Sequence, residues 1–358
     1  MNVAIACGGT GGHIYPGLAT GRELVSRGHE VTLWLSGKAI ESEVIVQWSG
    51  PVVQIEAAGF TVAPSWSWLR ALLKQCNALR ESRKKFNQDH PDILLAMGSY
   101  ASVAPALIAR MHGIPVVLHE ANAIPGRAIS MLARGANRIG VTFQRAARHL
   151  PQDKVTWTGL PISHDLSLQL EDNALSADHF TLLVMGGSQG AARLNEIVPE
   201  AVIRLHRQKR AVQAIHITGK RDEFDVRNLY TEAGVPHSVH AFYAEMGRLY
   251  NASDLAICRS GAATCMELAL SELPAVLVPL PASSRDHQYL NALEIELHGG
   301  AIVMPQDQLT PDGLFDTIVG YMERPAELRL MRDAMKRAGL PNGAAKLADL
   351  MEECYADI

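Results

Sequence analysis

The chain has 358 residues, which is long for one hydrophobic core and predicts two domains. Hydrophobic residues make up 47% of it and charged residues 20%, as in an ordinary globular protein. The net charge of −4 argues against general nucleic-acid binding, and five cysteines without a Cys-x-x-Cys pair favour a reducing compartment without a zinc site. No leader-like start or bilayer-length apolar run is evident, so we expect a cytosolic or peripheral protein.

A glycine-rich loop, Gly8–His13, follows the first apolar run. When a strand runs through glycines into a helix, the absence of side chains lets a ligand approach the backbone N–H groups. The helix dipole favours an anion such as phosphate at this position. His13 stands where loop and helix meet, so its side chain can exchange a proton with a substrate near neutral pH. The alternative is a glycine turn that only lets strand and helix pack closely.

This loop differs from two better-known phosphate-binding loops. The dinucleotide fingerprint requires a third glycine where Ile14 stands, and the second strand ends in Ser36 and Gly37 rather than in an acidic residue. A P-loop would end in Lys followed by Ser or Thr, which do not follow here. A nicotinamide enzyme and a P-loop ATPase are therefore both disfavoured.

Short apolar runs alternate with helical stretches along the whole chain, which predicts doubly wound α/β domains with parallel sheets covered on both faces. The runs are Val3–Cys7, Val31–Leu35, Asp92–Met97, Pro115–His119, Arg138–Val141, Thr181–Met185, Val212–Ile217, Leu255–Cys258 and Ala275–Val278. The second half opens like the first, with a strand that runs into Gly186–Ala191. We expect domains at 1–160 and 161–342 that face a cleft, and a C-terminal helix at 343–358 that packs back on the first.

The segment Cys258–Glu267 is the strongest site signal in the second half. A strand ends there, Ser260 and Gly261 turn the chain, and small residues open a helix whose free N–H groups can hold a diphosphate. Glu267 lies about one and a half turns into that helix, where its carboxylate can accept hydrogen bonds from two vicinal hydroxyls, as on a ribose. Alternatively, Ser260 is an N-cap and Glu267 interacts with the helix dipole.

The chain contains no Asp-x-Asp motif that would indicate a dedicated metal-binding pair. We therefore expect neither a metal nor another cofactor. The helix N-terminus behind Gly261 would instead offset the charge of a bound diphosphate.

In order and spacing these motifs resemble those of the MurG family, the UDP-N-acetylglucosamine:lipid-pyrophosphoryl N-acetylglucosaminyltransferases of peptidoglycan synthesis. The matching segments are Gly8–Ala19, Met97–Tyr100, His119–Asn122, Gly186–Ala191, Cys258–Glu267 and Gln288–Ala292. The resemblance implies the GT-B fold, two Rossmann-like domains with a cleft between them. It also implies inverting transfer of N-acetylglucosamine from UDP-N-acetylglucosamine to the 4-hydroxyl of the muramyl sugar of lipid I, which gives lipid II.

The resemblance further implies roles for individual residues. The donor-binding set is Thr10, Gly11, Gly12, Asn122, Ser163, Ser188, Tyr243, Ala262, Ala263, Thr264, Glu267 and Gln288. The acceptor-binding set is His13, Tyr100, Glu120 and Asn122. His13 is the first candidate for the general base, and Glu120 is either the second or the residue that orients His13.

The sequence departs from the family pattern at several places. Leu160 stands where the family has an asparagine, and Tyr243 where it often has an aliphatic residue. Ser163 stands where the family has a donor-contacting arginine, a loss worth roughly 1.5–3 kcal/mol that Lys220 or Arg259 could replace. His287 replaces the first glutamine of a Gln-Gln pair. These changes leave open a catalytically weak UDP-sugar-binding homologue, and another GT-B lipid glycosyltransferase is a further alternative.

Tryptophans and leucines are interleaved with cations in Pro64–Lys74, which leads into Leu79–Arg80 and Arg83–Phe86. This pattern suits an anionic bilayer surface, although the same helix could pack on the first domain with its cations solvated. We expect a peripheral protein on the cytoplasmic face of the inner membrane. Its expected partners are UDP-N-acetylglucosamine, lipid I, the anionic membrane and other cell-wall enzymes, but not nucleic acid.

Overall fold

The structure is a computed structural model that describes residues 1–38, 41, 46, 48–55, 66–162, 170, 175–187, 190–281 and 283–357, with the backbone alone for 66–76 and 284. The chain divides into two compact units, Met1–Ser163 with Leu340–Ile358, and His164–Gly339. The expected division at 160/161 lies three residues before this one. The last segment belongs to the first unit from Leu340, rather than from 343.

The first unit contains a parallel sheet of seven strands in the order β3-β2-β1-β4-β5-β6-β7. The strands are β1 (Asn2–Ala6), β2 (Glu30–Leu35), β3 (Val52–Gln54), β4 (Ile93–Ala96), β5 (Val116–Glu120), β6 (Arg138–Val141) and β7 (Val155–Trp157). Its first four described α-helices are α1 (Gly11–Ser26), α2 (Trp66–Asp89), α3 (Val103–Met111) and α4 (Arg127–Leu132).

Strand β1 shows why the sheet is covered on both faces. Val3 and Ile5 belong to one apolar cluster with Leu18 of α1, whereas Ala4 and Ala6 belong to another. Successive side chains of a strand point to opposite faces, so a continuous apolar run must be buried on both.

The second unit has a parallel sheet in the order β10-β9-β8-β11-β12-β13. The strands are β8 (Phe180–Met185), β9 (Val212–Ile217), β10 (His237–His240), β11 (Leu255–Cys258), β12 (Ala275–Leu277) and β13 (Ala301–Val303). The helices are α5 (Ala192–Arg207), α6 (Glu223–Ala233), α7 (Met246–Asn251), α8 (Ala262–Leu270), α9 (His287–His298), α10 (Pro311–Glu323) and α11 (Pro325–Ala338).

In both sheets the strand order reverses beside the first strand of the unit. β1 pairs with β2 and β4, and β8 pairs with β9 and β11. In open parallel sheets, ligands bind outside the carboxyl ends of the strands at such a reversal. The segments after β1, β4, β8 and β11 therefore hold the favoured positions, and the predicted motifs Gly8–His13, Gly186–Ala191 and Cys258–Glu267 lie there.

The predicted doubly wound α/β fold is confirmed, and each apolar run that we listed forms a strand. Strands β3, β7, β10 and β13, of three or four residues each, are not among those runs, because so few residues show no period. The family resemblance also implies a strand end at Phe242 and Tyr243, and this position is wrong. β10 already ends at His240, so Tyr243 lies in the segment that follows it.

Helix α2 covers much of the predicted membrane segment, but Pro64 and Ser65 and the side chains of 66–76 lie outside the described residues. Farther along, Ala78, Ser82 and Phe86 are buried at four-residue spacing, while Arg80 and Lys84 are exposed. This half of α2 packs on the first unit and presents cations to solvent. Among the described residues, no helix combines the length and apolarity that a bilayer crossing requires.

The final helix, α12 (Gly343–Ala356), packs against α1 and the sheet of the first unit. Leu347 and Met351 are fully buried in the cluster that contains Val3 and Ile5. At the edge of this contact, Arg27 at the end of α1 donates to Asp349 at 2.6 Å and to Glu352 at 2.9 Å. It also donates to the Ala345 carbonyl and to Glu23.

Arg27→Ala should destabilise the first unit by about 1–2 kcal/mol, because partly buried charge-assisted hydrogen bonds exceed the usual surface pair. All five tryptophans lie in residues 1–163, so tryptophan fluorescence during urea unfolding reports this unit.

Arg138→Ala is the matched control, because Arg138 belongs to the same unit and pairs with the exposed Asp357 at the surface. It should change the unfolding free energy by only about 0–0.5 kcal/mol. Equal losses in the two variants would contradict a special role for Arg27.

Candidate functional site

Some glycines of the first loop serve close packing. A Cβ on Gly8 would lie 2.5 Å from the backbone nitrogen of Ser36, and one on Gly17 would lie 2.5 Å from the Cβ of Cys7. The ends of β1 and β2, and the crossing of α1 over β1, therefore leave no room for a side chain. For these two positions the close-packing alternative is correct.

The backbone N–H groups of the loop are not all available to a ligand. The Gly9 amide donates to the buried carboxylate of Glu41 at 2.9 Å. Helix α1 begins at Gly11, and the Thr10 side chain does not cap it. The amides of Gly11 and Gly12 thus open a helix in positions without an intrahelical acceptor, and the anion-binding prediction narrows to them.

His13 is half-buried on the first turn of α1. Its Nδ1 shares a hydrogen bond of 3.0 Å with Thr10 Oγ1, and its Cδ2–Nε2 edge lies against Gly98. Burial, together with the charge of Lys38, lowers the pKa of His13 to about 4 from its ordinary value of 6.5. The imidazole is therefore neutral at pH 7, the form that accepts a proton.

Glu120 ends β5 and braces the segment that follows it. Its carboxylate accepts the backbone N–H of Asn122 at 2.8 Å and that of Gly126 at 2.7 Å, and it also accepts the Asn122 side-chain amide. Burial raises the pKa of Glu120. This carboxylate positions Asn122 and the start of α4, and its predicted contact with the acceptor stays a prediction.

Two neighbours of this segment come from the same sheet edge. His119 is fully buried and its Nε2 donates to the Gly159 carbonyl at 3.0 Å, which ties the end of β5 to the chain after β7. Tyr100 begins a short 3-10 helix after β4 and is half-buried. The first unit thus gathers His13, Tyr100 and Glu120 on the segments that follow β1, β4 and β5.

In the second unit, helix α8 begins at Ala262 with Gly261 as its N-cap, and no side chain caps it. Ala262, Ala263 and Thr264 form its first turn and are partly exposed. The neighbouring Ser260 hydroxyl is fully buried and finds no hydrogen-bond partner among the described residues. A buried orphan hydroxyl beside uncapped amides is typical of a site that binds a polar ligand.

Glu267 lies on α8 and is 9% exposed. Its Oε2 accepts a hydrogen bond of 2.6 Å from the hydroxyl of Tyr250, which is buried at the end of α7. Burial, followed by the Glu267 charge, raises the pKa of Tyr250, so the phenol stays protonated and donates. The sequence patterns did not identify Tyr250 as a site residue, because no motif in its own segment indicates that its hydroxyl would bind Glu267.

Two side chains of α9 hold the neighbouring turns. Asn291 is fully buried and its amide donates to the Ser260 carbonyl at 3.2 Å. Gln288 accepts the Leu280 backbone N–H at 2.9 Å. The polar cluster Arg285–Asn291 thus lies beside the start of α8, although Gln288 is engaged with the protein itself.

Arg259 does not present a free guanidinium to a ligand. It is buried and donates to the carbonyls of Val278 and Pro279 at 3.1 Å each and to Gln306 at 2.5 Å. Burial lowers its pKa. It supports the segment after β12 rather than replacing the arginine that is missing at Ser163, whereas Lys220 is exposed in the turn after β9.

For three of the predicted donor-binding residues the structure gives few or no contacts. Ser163 and Ser188 lie outside the described residues. Tyr243 is half-buried, with its ring edge-on to His240 at a centroid distance of 5.0 Å. A cavity of about 610 Å³ opens elsewhere in the second unit, lined by Arg193, Pro279, Leu280, Pro281, Asp286, Tyr289, Pro305, Gln306 and Asp307. Gln288 holds its rim through Leu280.

Both units match models of known families. Residues 3–141 match the glycosyltransferase family 28 N-terminal domain, and residues 181–350 match the family 28 C-terminal domain. The fold and the family models together define a glycosyltransferase of the GT-B type.

Curated relatives narrow this class. The chain is 33% identical to the UDP-N-acetylglucosamine--N-acetylmuramyl-(pentapeptide) pyrophosphoryl-undecaprenol N-acetylglucosamine transferase of Myxococcus xanthus, over 98% of this chain and 92% of that one. The crystal structure of Acinetobacter baumannii MurG superposes with a TM-score of 0.81 at 27% identity, over 98% of this chain and 99% of that one. This chain belongs to the MurG family of glycosyltransferases.

A more distant structure shows the fold alone. The UDP-GlcNAc 2-epimerase of Neisseria meningitidis, bound to UDP-GlcNAc, has a TM-score of 0.73 at 13% identity, over 99% of this chain and 100% of that one. The GT-B arrangement is thus shared with proteins of other activities, and function must be argued from the site.

The His13 imidazole should titrate near pH 4, which a histidine-selective NMR titration measures once His13→Gln has identified its signal. Lys38→Met should raise this midpoint, because a removed positive charge no longer opposes protonation. Lys154→Met is the control and should leave it unchanged. A midpoint near 6.5 in the unaltered protein would show that His13 is neither desolvated nor influenced by Lys38.

Proposed function

We propose that this protein transfers N-acetylglucosamine from UDP-N-acetylglucosamine to the 4-hydroxyl of the muramyl sugar of undecaprenyl-pyrophosphoryl-MurNAc-pentapeptide, converting lipid I to lipid II. The near-full-length match to transferases of that name carries the proposal. The acceptor oxygen attacks the anomeric carbon in line. The bond from that carbon to the diphosphate breaks, UDP leaves, and the configuration inverts.

The second unit binds the donor. The first-turn amides of α8 at Ala262, Ala263 and Thr264 face the diphosphate, and the orphan hydroxyl of Ser260 beside them supports this placement. Glu267 accepts the ribose hydroxyls. Stabilisation of the leaving charge by these fixed dipoles does not require a metal, and the absence of a metal or other cofactor remains a prediction.

The other donor contacts follow from the family resemblance. Ser188 contributes to the diphosphate site, Gln288 contacts the sugar hydroxyls, and the backbone near Tyr243 holds the uracil. With Ser163 at this position, the donor lacks the contact that the family's arginine makes.

His13 acts as the general base in the first unit. Its low pKa keeps the imidazole neutral, and the hydrogen bond from Nδ1 to Thr10 leaves Nε2 to take the proton of the 4-hydroxyl. Gly11 and Gly12 add backbone N–H groups beside it. Tyr100, Glu120 and Asn122 complete the acceptor side, with Glu120 acting through Asn122.

The protein works as a peripheral enzyme on the cytoplasmic face of the inner membrane, where its lipid-linked acceptor resides. The exposed Arg80, Arg83 and Lys84 of α2 support contact with an anionic bilayer. Association with other cell-wall enzymes, and the absence of nucleic-acid binding, remain predictions.

UDP release from UDP-N-acetylglucosamine, measured with and without a short-chain lipid I analogue, tests the reaction. Release should require the acceptor and persist in EDTA. His13→Ala should lower kcat by about 10²–10⁴-fold, the usual contribution of a general base. His149→Ala, an exposed histidine of the same unit, is the matched control and should retain wild-type activity.

Each other outcome has its own meaning. Acceptor-dependent release that survives His13→Ala would place the base elsewhere. Donor binding without any release would indicate a UDP-sugar-binding homologue. Release with a diacylglycerol acceptor in place of lipid I would identify another lipid glycosyltransferase.

Tyr250→Phe should raise the donor KM about five-fold, since loss of a net hydrogen bond costs about 1 kcal/mol, and leave the acceptor KM unchanged. The variant should also discriminate less against a 2′-deoxyribose donor analogue, because the Tyr250 hydroxyl holds the carboxylate that contacts the ribose. An equal loss with both donors would show that Tyr250 does not act through Glu267.

A further inference from the structure

Glu41 is 1% exposed and lies in the segment that follows β2, outside every motif that the sequence singled out. Its Oε1 accepts the Gly9 amide at 2.9 Å, the Ser36 amide at 3.1 Å and the Ser36 hydroxyl at 2.6 Å. Its Oε2 accepts the amides of Gly37 at 2.6 Å and Lys38 at 3.1 Å. These donors compensate for burial of the carboxylate.

Only one of these donors comes from another part of the sheet edge. Ser36, Gly37 and Lys38 belong to the segment directly after β2, whereas Gly9 lies 32 positions before Glu41 in the glycine loop after β1. The contact with Gly9 therefore joins two neighbouring loops, while the others shape one loop.

The same peptide group is held from its other side. The Ser99 hydroxyl donates to the Gly8 carbonyl at 2.5 Å, and the Gly8 carbonyl and the Gly9 N–H belong to one peptide plane. In a trans peptide these two groups point in opposite directions, so Glu41 and Ser99 hold the peptide plane by hydrogen bonds from its two sides, a contact that we call the grip.

Ser99 makes this contact from a strained backbone. Its φ of 66° and ψ of 165° lie in a region that is almost restricted to glycine. Strain of this kind persists where the surrounding structure demands it and is concentrated at functional sites. The hydroxyl is the part of Ser99 that glycine, the relaxed choice, would lack.

We propose that Glu41 and Ser99 are positioning residues that fix the Gly8–Gly9 peptide plane and thereby aim His13, four residues farther along the chain, at the acceptor. The inference rests on the proposed function of His13 as base. Thr10 is the next residue after this peptide plane and His13 lies on the first turn of α1. A flip of the plane would therefore change the direction in which the chain enters α1 and with it the orientation of His13. Glu41 also holds the backbone of Lys38, the cation that influences His13.

Two variants release the plane in different ways. Ser99→Gly removes the hydroxyl, and with it the cap on the Ala101 N–H, but it relieves the backbone strain, so the melting temperature should change little while kcat drops about tenfold or more. Glu41→Ala removes both acceptor oxygens, so the Gly9 amide loses its partner. Ser36→Ala removes one donor to Glu41 without touching the plane, and it should keep kcat within about twofold.

A purely structural role would not reproduce the following pattern. The donor KM should change less than kcat in both variants, because the diphosphate, ribose and uracil contacts lie in the second unit and only Thr10, Gly11, Gly12, Asn122 and Ser163 are expected to reach the donor from the first. The double variant should lose little more than either single one, since either change frees the same plane. If the fold losses in kcat of the two single variants multiply in the double variant, Glu41 and Ser99 act independently and the proposal is wrong. A wild-type kcat in Ser99→Gly would also overturn the proposal.

Amide hydrogen exchange tests the grip without any activity. Mass spectrometry of the peptide that contains Gly9 should show protection in the wild type and in Ser36→Ala, and faster exchange in Glu41→Ala, which leaves the Gly9 amide without its acceptor. Unchanged exchange in Glu41→Ala would overturn the proposed hold on this peptide plane even in an active enzyme. A protein with the protected amide but without acceptor-dependent UDP release would instead refute the proposed function and leave the grip standing.

Discussion

The reversal of strand order in each parallel sheet is the constraint on which the rest of the structure depends. In each sheet the chain continues from the first strand to one side and later returns to the other side, from β4 or β11 onward. Because the connections are right-handed, the loops after these two adjacent strands turn away from each other and leave a crevice at the carboxyl ends. Only short turns fit where the strands still pair closely, and Gly8 meets that demand by having no side chain. The glycine loops are therefore a packing requirement first and an opportunity for ligand binding second.

The two loops use this opportunity differently. In the first unit, the protein supplies its own anion, the Glu41 carboxylate, to the Gly9 amide. In the second, the turn before α8 keeps an uncapped helix start and the unpartnered hydroxyl of Ser260 within the described part of the chain. Part of the first loop is thus ordered internally, although the uncapped start of α1 at Gly11 and Gly12 stays open to an anion. The second loop adds the buried Ser260 hydroxyl to its own uncapped helix start.

The sequence predicts the location of the site better than its contacts. Strands such as β4 and β8 are recognisable because whole apolar runs must be buried on both faces, and their carboxyl ends necessarily share an edge. Partners such as Glu41 for Gly9, or Tyr250 for Glu267, depend on strand register and helix rotation. The direction of Arg259 is equally invisible in the sequence, because its acceptors are mainly backbone carbonyls.

The return of α12 to the first unit makes the protein modular in an unequal way. Residues 164–339 form one uninterrupted segment, so recombination at two neighbouring junctions can exchange the second unit as a single cassette. A fragment that stops at residue 163 lacks Leu347 and Met351 and leaves the layer beneath β1 open to water. Truncations that remove α12 therefore damage the first unit, although all seven strands of its sheet precede that helix.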